Sequence, residues 1–323
     1  MISLEEAIEQ ANSNIAGALG NVSNGDLSGL TSYAGSAGGK GVRMRLLLCA
    51  AMNADALVPE NAVKAAAAVE LLHLATLVHD DVIDDTPIRR GISTVQQKFG
   101  KKSAVICGDY LLCMSLNALS GIEMDGDKER FLPLAVRFSR VLSSICLGEY
   151  TQLLHNGDLE MRVPTYLRII AGKTAALFYI SAFFGALLGG EEEEQARALG
   201  RFGQRLGIAF QIADDCKDYE LSEEEALKPV GNDIAGGVVT LPLIVALKQQ
   251  PALRDLALEA MKGGRAVSGL VAEVRRLGGT AGAREILLRF DAKARLALRN
   301  IPGAKRERLL VILDKALQKT GVQ

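Results

Sequence analysis

The sequence predicts an all-α protein that folds as one domain over residues 1–323. No segment keeps the alternation of apolar and polar residues that marks a half-buried strand. Long stretches instead carry apolar residues at helical spacing and end at proline or glycine. No Pro- or Ser-rich linker divides the chain, and 49% of its residues are hydrophobic, so a single large core can form.

The first elements follow from a capping signal and a proline. Ser3 with Glu6 forms a capping box, so we expect a helix at the start of the chain rather than a signal peptide. The Gly- and Ser-rich stretch 20–41 predicts a loose connection. A long Ala/Leu-rich helix is expected over residues 61–85, because Pro87 stops it.

The second half of the chain predicts further long helices. Between Lys173 and Glu191 lie 17 uncharged residues, fewer than the ~20 that a membrane-spanning helix needs, so we expect a buried core helix. No other segment comes as close, and the sequence therefore predicts a soluble protein without a transmembrane segment. A helix over residues 191–219 has acidic residues in its first turn, and Ser222 with Glu225 offers another capping box.

Charge and cysteine content limit the functional classes. The formal net charge of -1 leaves no basic field for nucleic acid, so no nucleic-acid partner is expected. The five cysteines form no C-x-x-C pair and sit in apolar runs, which predicts reduced core residues and a cytoplasmic location. From Arg284 to Lys319 there are ten basic and four acidic residues. We interpret these as the solvated faces of two closing helices; a surface for anionic lipid or a partner chain is the alternative.

Two groups of aspartates point to the chemistry. Asp80 and Asp84 are one turn apart at the end of the first long helix and share a face, with Asp81 beside them. Like charges at that spacing repel one another and oppose the helix dipole. The pattern recurs at Asp214 and Asp218, and a merely solvated helix end does not explain the recurrence. Two such helices facing each other would line a cavity that needs cations.

Magnesium with a phosphorylated substrate is the physical inference from these carboxylates. Hard divalent ions prefer oxygen ligands, and Mg²⁺ takes one or two carboxylates together with phosphates and water. Arginine binds phosphate with two parallel hydrogen bonds, and lysine binds it as a point charge. Basic residues follow glycines or the first aspartates, where a phosphorylated substrate would need them: Lys40, Arg43, Arg89, Arg90 and Lys173.

With these residues in place, the sequence resembles the trans-polyprenyl diphosphate synthases. Two aspartate boxes with basic pieces between them occur in that family's order over roughly residues 38–242. The matching motifs are Gly39-Lys40-x-x-Arg43, Asp80-Asp81-x-x-Asp84 with Arg89-Arg90-Gly91, Gly108-Asp109-Tyr110, Gly148-Glu149, Lys173-Thr174 and Gln211-x-x-Asp214-Asp215-x-x-Asp218. The resemblance implies an all-α isoprenoid synthase bundle, a homodimer that uses about three Mg²⁺ ions, for which Mn²⁺ can substitute.

The resemblance also implies a role for each matching residue. The principal Mg²⁺ ligands would be Asp80, Asp84 and Asp214, supported directly or through water by Asp81, Asp215 and Asp218, and these aspartates with Lys173 would form the catalytic set. The allylic diphosphate would be held by Arg89, Lys173, Thr174 and Gln211, and isopentenyl diphosphate by Lys40, Arg43, His73 and Arg90. The implied enzyme ionises the allylic diphosphate, adds isopentenyl diphosphate to the cation and releases a longer trans-polyprenyl diphosphate.

Two positions depart from the family pattern. The first basic motif usually reads Gly-Gly-Lys-Arg-x-Arg-Pro, and here Gly41 and Met44 replace its Arg and Pro. A later motif usually has a diphosphate-binding lysine where this chain has Val238. That loss and the basic C-terminal region keep a second interpretation open, a non-catalytic or regulatory subunit of a two-component synthase. The intact aspartates of both boxes disfavour it, because such subunits generally lose them. A terpene cyclase or head-to-head synthase is disfavoured because neither needs Lys40 and Arg43.

The residues before the first aspartate box bear on product length. Short-chain (C15) members of the family generally carry an aromatic floor five and four positions before the box. Here those positions are Ala75 and Thr76, with Leu72 a turn deeper. Small residues would leave the product tunnel open, so we expect a product longer than C15.

Overall fold

A computed structural model of the chain describes residues 1–36, 38–122, 128–220, 232–263, 266–301 and 303–317. Its regular structure is almost entirely helical, so the all-α prediction is confirmed. The capping box predicted at Ser222 and Glu225 lies outside the described residues. In chain order the helices are α1 (Leu4–Gly20), α2 (Gly25–Ser36), α3 (Val42–Ala51), α4 (Glu60–Ile83), α5 (Val95–Phe99), α6 (Lys101–Ser120), α7 (Lys128–Leu154), α8 (Val163–Ile170), α9 (Ala176–Leu188), α10 (Glu193–Glu220), α11 (Asn232–Ala235), α12 (Leu241–Gln249), α13 (Leu253–Ala260), α14 (Ala266–Arg276), α15 (Gly279–Ala297) and α16 (Gly303–Leu317).

Short irregular elements join these helices. A π-helical turn, Ala171–Ala175, connects α8 directly to α9. Four two-residue strands form two antiparallel pairs: β1 (Ile2–Ser3) with β2 (Leu57–Val58), and β3 (Ile88–Arg89) with β4 (Ile92–Ser93). The first pair holds the start of α1 beside the start of α4, and the second forms the turn after α4.

The chain folds into two compact units. Unit 1 comprises residues 1–139, 177–203 and 300–312, and unit 2 comprises residues 140–176, 204–299 and 313–323. The helices that contribute residues to both units are α7, α9, α10 and α16. The prediction of one domain over residues 1–323 stays a prediction.

Helix α4 is central to unit 1, where it packs against α1, α3 and α6. Its first half includes the buried run Ala65–Ala68, whose small side chains let neighbouring helices approach closely. Further along, Leu71 and Ala75 pack in one apolar cluster with Cys107 and Leu111 of α6. This packing fixes the direction in which the end of α4 presents its aspartates.

The stretch 20–41 is more ordered than its composition suggests. Helix α2 occupies most of it, so the expectation of a loose connection was wrong. Asn24 accounts for the difference, because its side-chain oxygen accepts the backbone N–H groups of Asp26 at 3.0 Å and Leu27 at 3.2 Å and so caps the helix. The buried hydroxyl of Thr31 then donates to a backbone carbonyl in the last turn of α1 at 2.7 Å.

Helix α12 is central to unit 2 and packs along α15. Gly279 starts α15 so close to α12 that an added Cβ would lie 2.4 Å from the carbonyl oxygen of Pro242. The buried Tyr219 hydroxyl lies 3.1 Å from Thr240 Oγ1 and so ties the end of α10 to the start of α12. The two closing helices predicted for residues 284–319 are present as α15 and α16.

The apolar run after Lys173 forms α9, and its aromatic residues Phe178, Phe183 and Phe184 are fully buried, as predicted for a core helix. The expectation that no other segment approaches a membrane span was wrong. By length and composition alone, three helical stretches of the described chain could cross a membrane: Glu60–Ile83, Lys101–Ser120 and Val163–Leu188. The π-helical turn explains the third, because it fuses α8 and α9 into 26 continuous residues. The most apolar windows of these stretches are 61%, 33% and 72% buried, so α6 is the least covered.

The five cysteines are all free, but they are not all core residues. Cys49, Cys107 and Cys216 are buried, as predicted, whereas Cys113 and Cys146 are exposed. The exposed pair corrects the expectation, because both lie on the outward faces of helices whose apolar residues extend to the surface. Burial raises the pKa of the Cys107 thiol to about 11 and that of Cys49 to about 12, so both stay protonated.

Candidate active site

The first aspartate box closes α4, which ends at Ile83 rather than at residue 85. Asp84 caps the helix, and its N–H donates to the carbonyl of Asp80 at 2.8 Å. The Asp80 side chain is half-buried and that of Asp84 is exposed, one turn apart on a shared face. Asp81 turns inward, where Arg89 Nε donates to its Oδ1 at 2.7 Å. Burial raises the pKa of the Asp81 carboxyl, and the ion pair with Arg89 opposes that rise.

The turn after α4 directs the basic residues of the motif. Asp85 and Arg90 both adopt the left-handed region, at φ 50° and 51°, and so reverse the chain sharply. The buried Gln96 side chain donates to the carbonyls of Asp81 at 2.8 Å and Thr86 at 3.0 Å. Sequence analysis had not identified Gln96, which holds this strained turn in place.

A second group of site residues surrounds His73, which lies two turns before the aspartates on α4. Arg43 Nη1 donates to His73 Nε2 at 3.0 Å, and the guanidinium also stacks over the Phe178 ring, 4.5 Å from its centroid. Burial lowers the pKa of Arg43 to about 10, so the residue stays charged. Burial and the neighbouring arginines hold the pKa of His73 well below its ordinary value, so its imidazole is neutral.

Glu70 is a site residue that sequence analysis missed. Burial raises the pKa of its carboxyl against the attraction of Arg43 and Arg90, and one of its oxygens, Oε2, is buried without a hydrogen-bond partner. A Cβ added to Gly39 would lie 3.2 Å from Arg90 Nη1 and 3.7 Å from Glu70 Oε1, so only glycine fits between them comfortably. A single acidic residue in an otherwise apolar stretch, one turn before His73, was the available signal.

The two departures in the first basic motif are linked by contact. Gly41 begins α3 in the left-handed region at φ 56°, which suits glycine. A Cβ there would lie 2.8 Å from Met44 Cε, so the methionine side chain occupies the space above the glycine. Lys40 is exposed, and its carbonyl accepts Arg45 Nε at 3.2 Å. The turn before α3 is therefore formed with Gly41 and Met44 in place of the usual Arg and Pro.

Both residues of the Gly108-Asp109 motif contact the His79 side chain. A Cβ on Gly108 would lie 2.3 Å from His79 Nε2, so a larger residue here would displace the His79 ring. The same nitrogen is 3.3 Å from Asp109 Oδ1 and 3.2 Å from the Val105 carbonyl. This motif is therefore part of the packing between α4 and α6.

In unit 2, a buried hydrogen-bonded chain runs through the second aspartate box. Tyr166 Oη donates to Asp215 Oδ2 at 2.6 Å, and Gln211 Nε2 donates to Asp215 Oδ1 at 2.7 Å. Thr174 Oγ1 in turn donates to Gln211 Oε1 at 2.7 Å. Burial raises the pKa of Asp215 to about 7, against the lowering effect of Tyr166 and Gln211. Both oxygens of Asp215 are thus committed to protein donors, and Tyr166 is a second residue that sequence analysis missed.

The other two aspartates of this box differ in exposure. Asp214 Oδ1 lies 3.2 Å from Lys217 Nζ, and its side chain is 55% exposed. Asp218 is buried, and its Oδ2 accepts the backbone N–H of Asp233 at 3.4 Å. Val238, at the position where a lysine was expected, donates its N–H to the Asp233 carbonyl at 2.7 Å. The box therefore presents Asp214 outward and uses Asp218 to hold the segment that carries Val238.

Lys173 sits in the π-helical turn. A Cβ on Gly148 would lie 2.4 Å from Lys173 N, and one on Gly172 would lie 2.9 Å from the Ser144 carbonyl, so two glycines let the turn meet α7. Lys173 Nζ is 2.6 Å from Glu149 Oε2, and both side chains are largely buried. π-Helical turns occur often at functional sites, where the extra residue redirects a side chain.

The donor set suits a hard divalent cation. Within the described residues, no three or more of His, Cys, Asp and Glu gather closely enough to hold a metal ion alone. Mg²⁺ does not require such a cage, because it takes one or two carboxylates and completes its shell with phosphates and water. Asp80, Asp84 and Asp214 offer carboxylates that reach solvent, whereas Asp81 and Asp215 are bound to protein donors.

Comparison with known proteins gives a family match over most of the chain. Residues 25–276 match the family model described as "Polyprenyl synthetase". Octaprenyl diphosphate synthase of Escherichia coli is 30% identical over 89% of this chain and 88% of its own. Component 2 of the heptaprenyl diphosphate synthase of Bacillus subtilis is 40% identical over 68% of this chain and 60% of its own. The chain thus spans less than two thirds of the length of the first curated relatives that it matches.

A solved structure extends the likeness to the fold. The polyprenyl synthase of Caulobacter crescentus, solved with calcium and isoprenyl diphosphate, is 28% identical and superposes with a TM-score of 0.86 over 98% of both chains. The family resemblance read from the motifs is thereby confirmed, and so is the isoprenoid synthase helical fold. The chain belongs to the polyprenyl synthetase family.

Proposed function

We propose that the protein is a chain-elongating prenyltransferase, which condenses isopentenyl diphosphate with an allylic prenyl diphosphate to a trans-polyprenyl diphosphate longer than C15. One observation carries this proposal. His73, Asp80 and Asp84 share one face of α4, so an anion site and a cation site stand about 10 Å apart along the helix, seven residues at 1.5 Å each. Two sites of opposite charge on one face suit two diphosphate substrates, one bound by arginines and one bound through metal.

The anion site suits isopentenyl diphosphate, which keeps its diphosphate during the reaction. Arg43 and Arg90 would bind its oxygens, and Lys40 would add a charge from the exposed turn before α3. A neutral His73 can donate through its second nitrogen without adding a charge of its own. The Glu70 carboxylate attracts both arginines and would keep their side chains together in the absence of substrate.

The allylic diphosphate suits the metal-binding carboxylates. We assign Asp80, Asp84 and Asp214 as Mg²⁺ ligands for about three ions, with Asp81, Asp215 and Asp218 holding neighbouring groups in place. When bound, Mg²⁺ would neutralise the charge that develops on the departing diphosphate. Lys173, Thr174, Gln211 and Arg89 would hold that diphosphate; Lys173 and Arg89 would exchange their present carboxylate partners for phosphate oxygens.

Names of relatives support elongation beyond C15. The relatives include octaprenyl, heptaprenyl and solanesyl diphosphate synthases. Ala75, five residues before the box, is buried in the apolar cluster with Leu71 and Cys107, and the hydroxyl of Thr76 donates to the His73 carbonyl at 2.8 Å. Neither side chain is large enough to close a hydrocarbon tunnel.

We also propose a homodimer in the cytoplasm. Helix α6 presents Val105, Ile106 and Leu116 at 40%, 58% and 43% exposure, and α7 presents Leu147 and Tyr150 at 65% and 60%. Each set follows helical spacing, and apolar stripes of this kind commonly lie in subunit interfaces. A second copy of the chain is the occupant that the family suggests. Sedimentation of wild type and of Ile106→Glu should show a dimer and a monomer; identical monomers would reject the dimer.

The decisive experiment is an elongation assay with purified protein. The protein is incubated with Mg²⁺, labelled isopentenyl diphosphate and either dimethylallyl, geranyl or farnesyl diphosphate, and the products are sized. Products longer than C15 are expected. Folded protein that elongates none of the three primers would reject the proposal for the chain alone.

The second candidate function is a subunit of a two-component synthase. Relatives named as component 2 of a heptaprenyl diphosphate synthase favour it, as does Val238 at the expected lysine position. Elongation by the purified chain would exclude a non-catalytic or regulatory role. The subunit role would be supported if elongation begins only after a cell extract is added and if the chain then sediments as part of a larger particle.

A further inference from the structure

The second aspartate box contains a lysine of its own. Between Gln211 and Tyr219 the sequence has one basic residue, Lys217. Its Nζ lies 3.2 Å from Asp214 Oδ1, three residues earlier on α10. The Lys217 side chain is only 19% exposed, whereas that of Asp214 is 55% exposed. An ammonium group that is mostly withdrawn from water thus neutralises the outward carboxylate of the box.

This arrangement conflicts with a metal ion that binds at Asp214 by itself. Asp215 and Asp218 are already committed to Gln211, Tyr166 and the backbone of Asp233, so Asp214 is the carboxylate of this box that a cation can reach. A divalent cation there would share the carboxylate with the Lys217 ammonium, which lies 3.2 Å from Oδ1, and two cations held by one carboxylate repel each other where water is partly excluded.

A diphosphate removes the conflict. Its oxygens bind divalent cations and also accept hydrogen bonds from ammonium groups. A metal ion held by Asp214 would take the anionic partner of Lys217, and a diphosphate bound with that metal would supply a new one. The lysine therefore opposes the metal alone and favours the metal together with the diphosphate.

We propose that Lys217 couples metal binding to diphosphate binding at the second aspartate box, an inference that rests on the proposed function. The lysine binds the diphosphate directly once the metal has taken Asp214. In the metal-free protein it neutralises Asp214 and so opposes the binding of a lone cation there.

The position of Val238 fits the same inference. Val238 is hydrogen-bonded to Asp233, and Asp233 to Asp218, so the segment that lacks the expected lysine is tied to the residue directly after Lys217. The box thus has one cation fewer on the loop and one cation on the adjoining helix turn. Lys217 supplies from α10 the charge that Val238 does not supply from the loop.

Calorimetric titration of the full chain tests the coupling, with Mn²⁺ and inorganic diphosphate as probes. Lys217→Met keeps the unbranched side chain and removes the charge. We expect it to bind Mn²⁺ alone at least about threefold more tightly than wild type, and diphosphate at saturating Mn²⁺ about tenfold more weakly. Lys217→Arg should keep the wild-type coupling, and Lys248→Met, which removes an exposed lysine from α12 in the same unit, should do so as well.

Adding Val238→Lys to Lys217→Met provides a second test. If the missing charge is what matters, the double variant regains most of the lost diphosphate affinity. Equal weakening of Mn²⁺ and diphosphate binding in Lys217→Met would show that the lysine only maintains structure, and an unchanged coupling would also overturn the inference. Wild-type protein that shows the coupling but elongates no primer would instead reject the proposed function.

Discussion

Arg43 donates a hydrogen bond to His73 across 3.0 Å, and burial together with this arginine holds the pKa of the histidine well below its ordinary value. An arginine cannot accept a proton, so the imidazole nitrogen that faces it must be the acceptor, and the ring proton sits on the other nitrogen. The imidazole then aligns Arg43 and keeps its own N–H available for a phosphate oxygen. Arg43, stacked on Phe178, is thus fixed on two sides before substrate arrives.

The neutral state of His73 predicts a pH dependence of stability. The folded-state pKa of His73 lies well below its unfolded value near 6.5, so below that pH the unfolded chain binds a proton that the folded chain does not. The free energy of unfolding therefore keeps its full value above pH 6.5. Below that pH, protonation of His73 in the unfolded chain lowers it by about 1.4 kcal/mol per pH unit. Urea unfolding of wild type and His73→Gln between pH 5 and 7.5 should show a shallower acid-side loss in the variant. Parallel curves would contradict a neutral His73.

Glu70 predicts a selective effect on one substrate. Glu70→Gln removes the charge that holds Arg43 and Arg90 together, so we expect the KM for isopentenyl diphosphate to rise about tenfold while the KM for the allylic substrate changes little. Steady-state kinetics with each substrate varied in turn measures the two effects separately. Glu60→Gln, an exposed change in the first turn of the same helix, is the control. A parallel rise in both KM values would show a general loss of structure instead.

Sequence alone identified the aspartates and most of the basic residues because their signals are local. An i, i+4 carboxylate pair can be recognised within one helical turn, and the arginines follow within ten residues of it. The partner of Asp215 could not be found in this way, because Tyr166 is 49 residues distant in sequence and the contact exists only after α8 packs against α10. Gln96 was missed for the same reason, since its amide bonds to backbone carbonyls that carry no sequence signal.

The helix boundaries show where local signals compete. Pro87 correctly stopped α4, but the left-handed conformation of Asp85 ended the helix before the proline required it. The cap at Asn24 outweighed the glycine content of residues 20–41, since one side chain that satisfies two N–H groups can start a helix in a poor composition. The coupled replacement of Gly41 and Met44 could be seen only as two separate departures until their contact was known.

The buried Tyr166–Asp215 hydrogen bond predicts a stability effect with a functional consequence. Tyr166→Phe keeps the ring but leaves Asp215 Oδ2 without its donor, which should cost about 1–3 kcal/mol of unfolding free energy. Because Asp215 also holds Gln211, and Gln211 holds Thr174, the KM for the allylic diphosphate should rise too. Thermal melting and kinetics check the two effects. A wild-type melting curve for Tyr166→Phe would rule out the buried bond.

Replacing Asp80 or Asp214, whose carboxylates reach solvent, is expected to abolish turnover without unfolding the protein. Asp80→Ala or Asp214→Ala should lower kcat about a hundredfold or more, because each removes a ligand for the metal that stabilises the leaving diphosphate. Both side chains reach solvent, so circular dichroism and melting temperature should stay close to wild type. Asp255→Ala, an exposed aspartate of α13, controls for the change in charge. Full activity in either site variant would refute the assignment of that aspartate.

The size of the side chain at Ala75 is expected to affect the length of the product. Its side chain is 2% exposed and packs with Leu71 and Cys107, so a phenylalanine there must displace its neighbours or project along the helix toward the space that a growing chain would occupy. We expect Ala75→Phe to shift the products of elongation from geranyl diphosphate toward shorter chains, at a cost of about 1–3 kcal/mol in stability from overpacking. Chromatographic sizing of products, beside a melting curve for the variant, separates the two effects. A destabilised variant with an unchanged product distribution would place Ala75 in the packing between α4 and α6 and outside the tunnel.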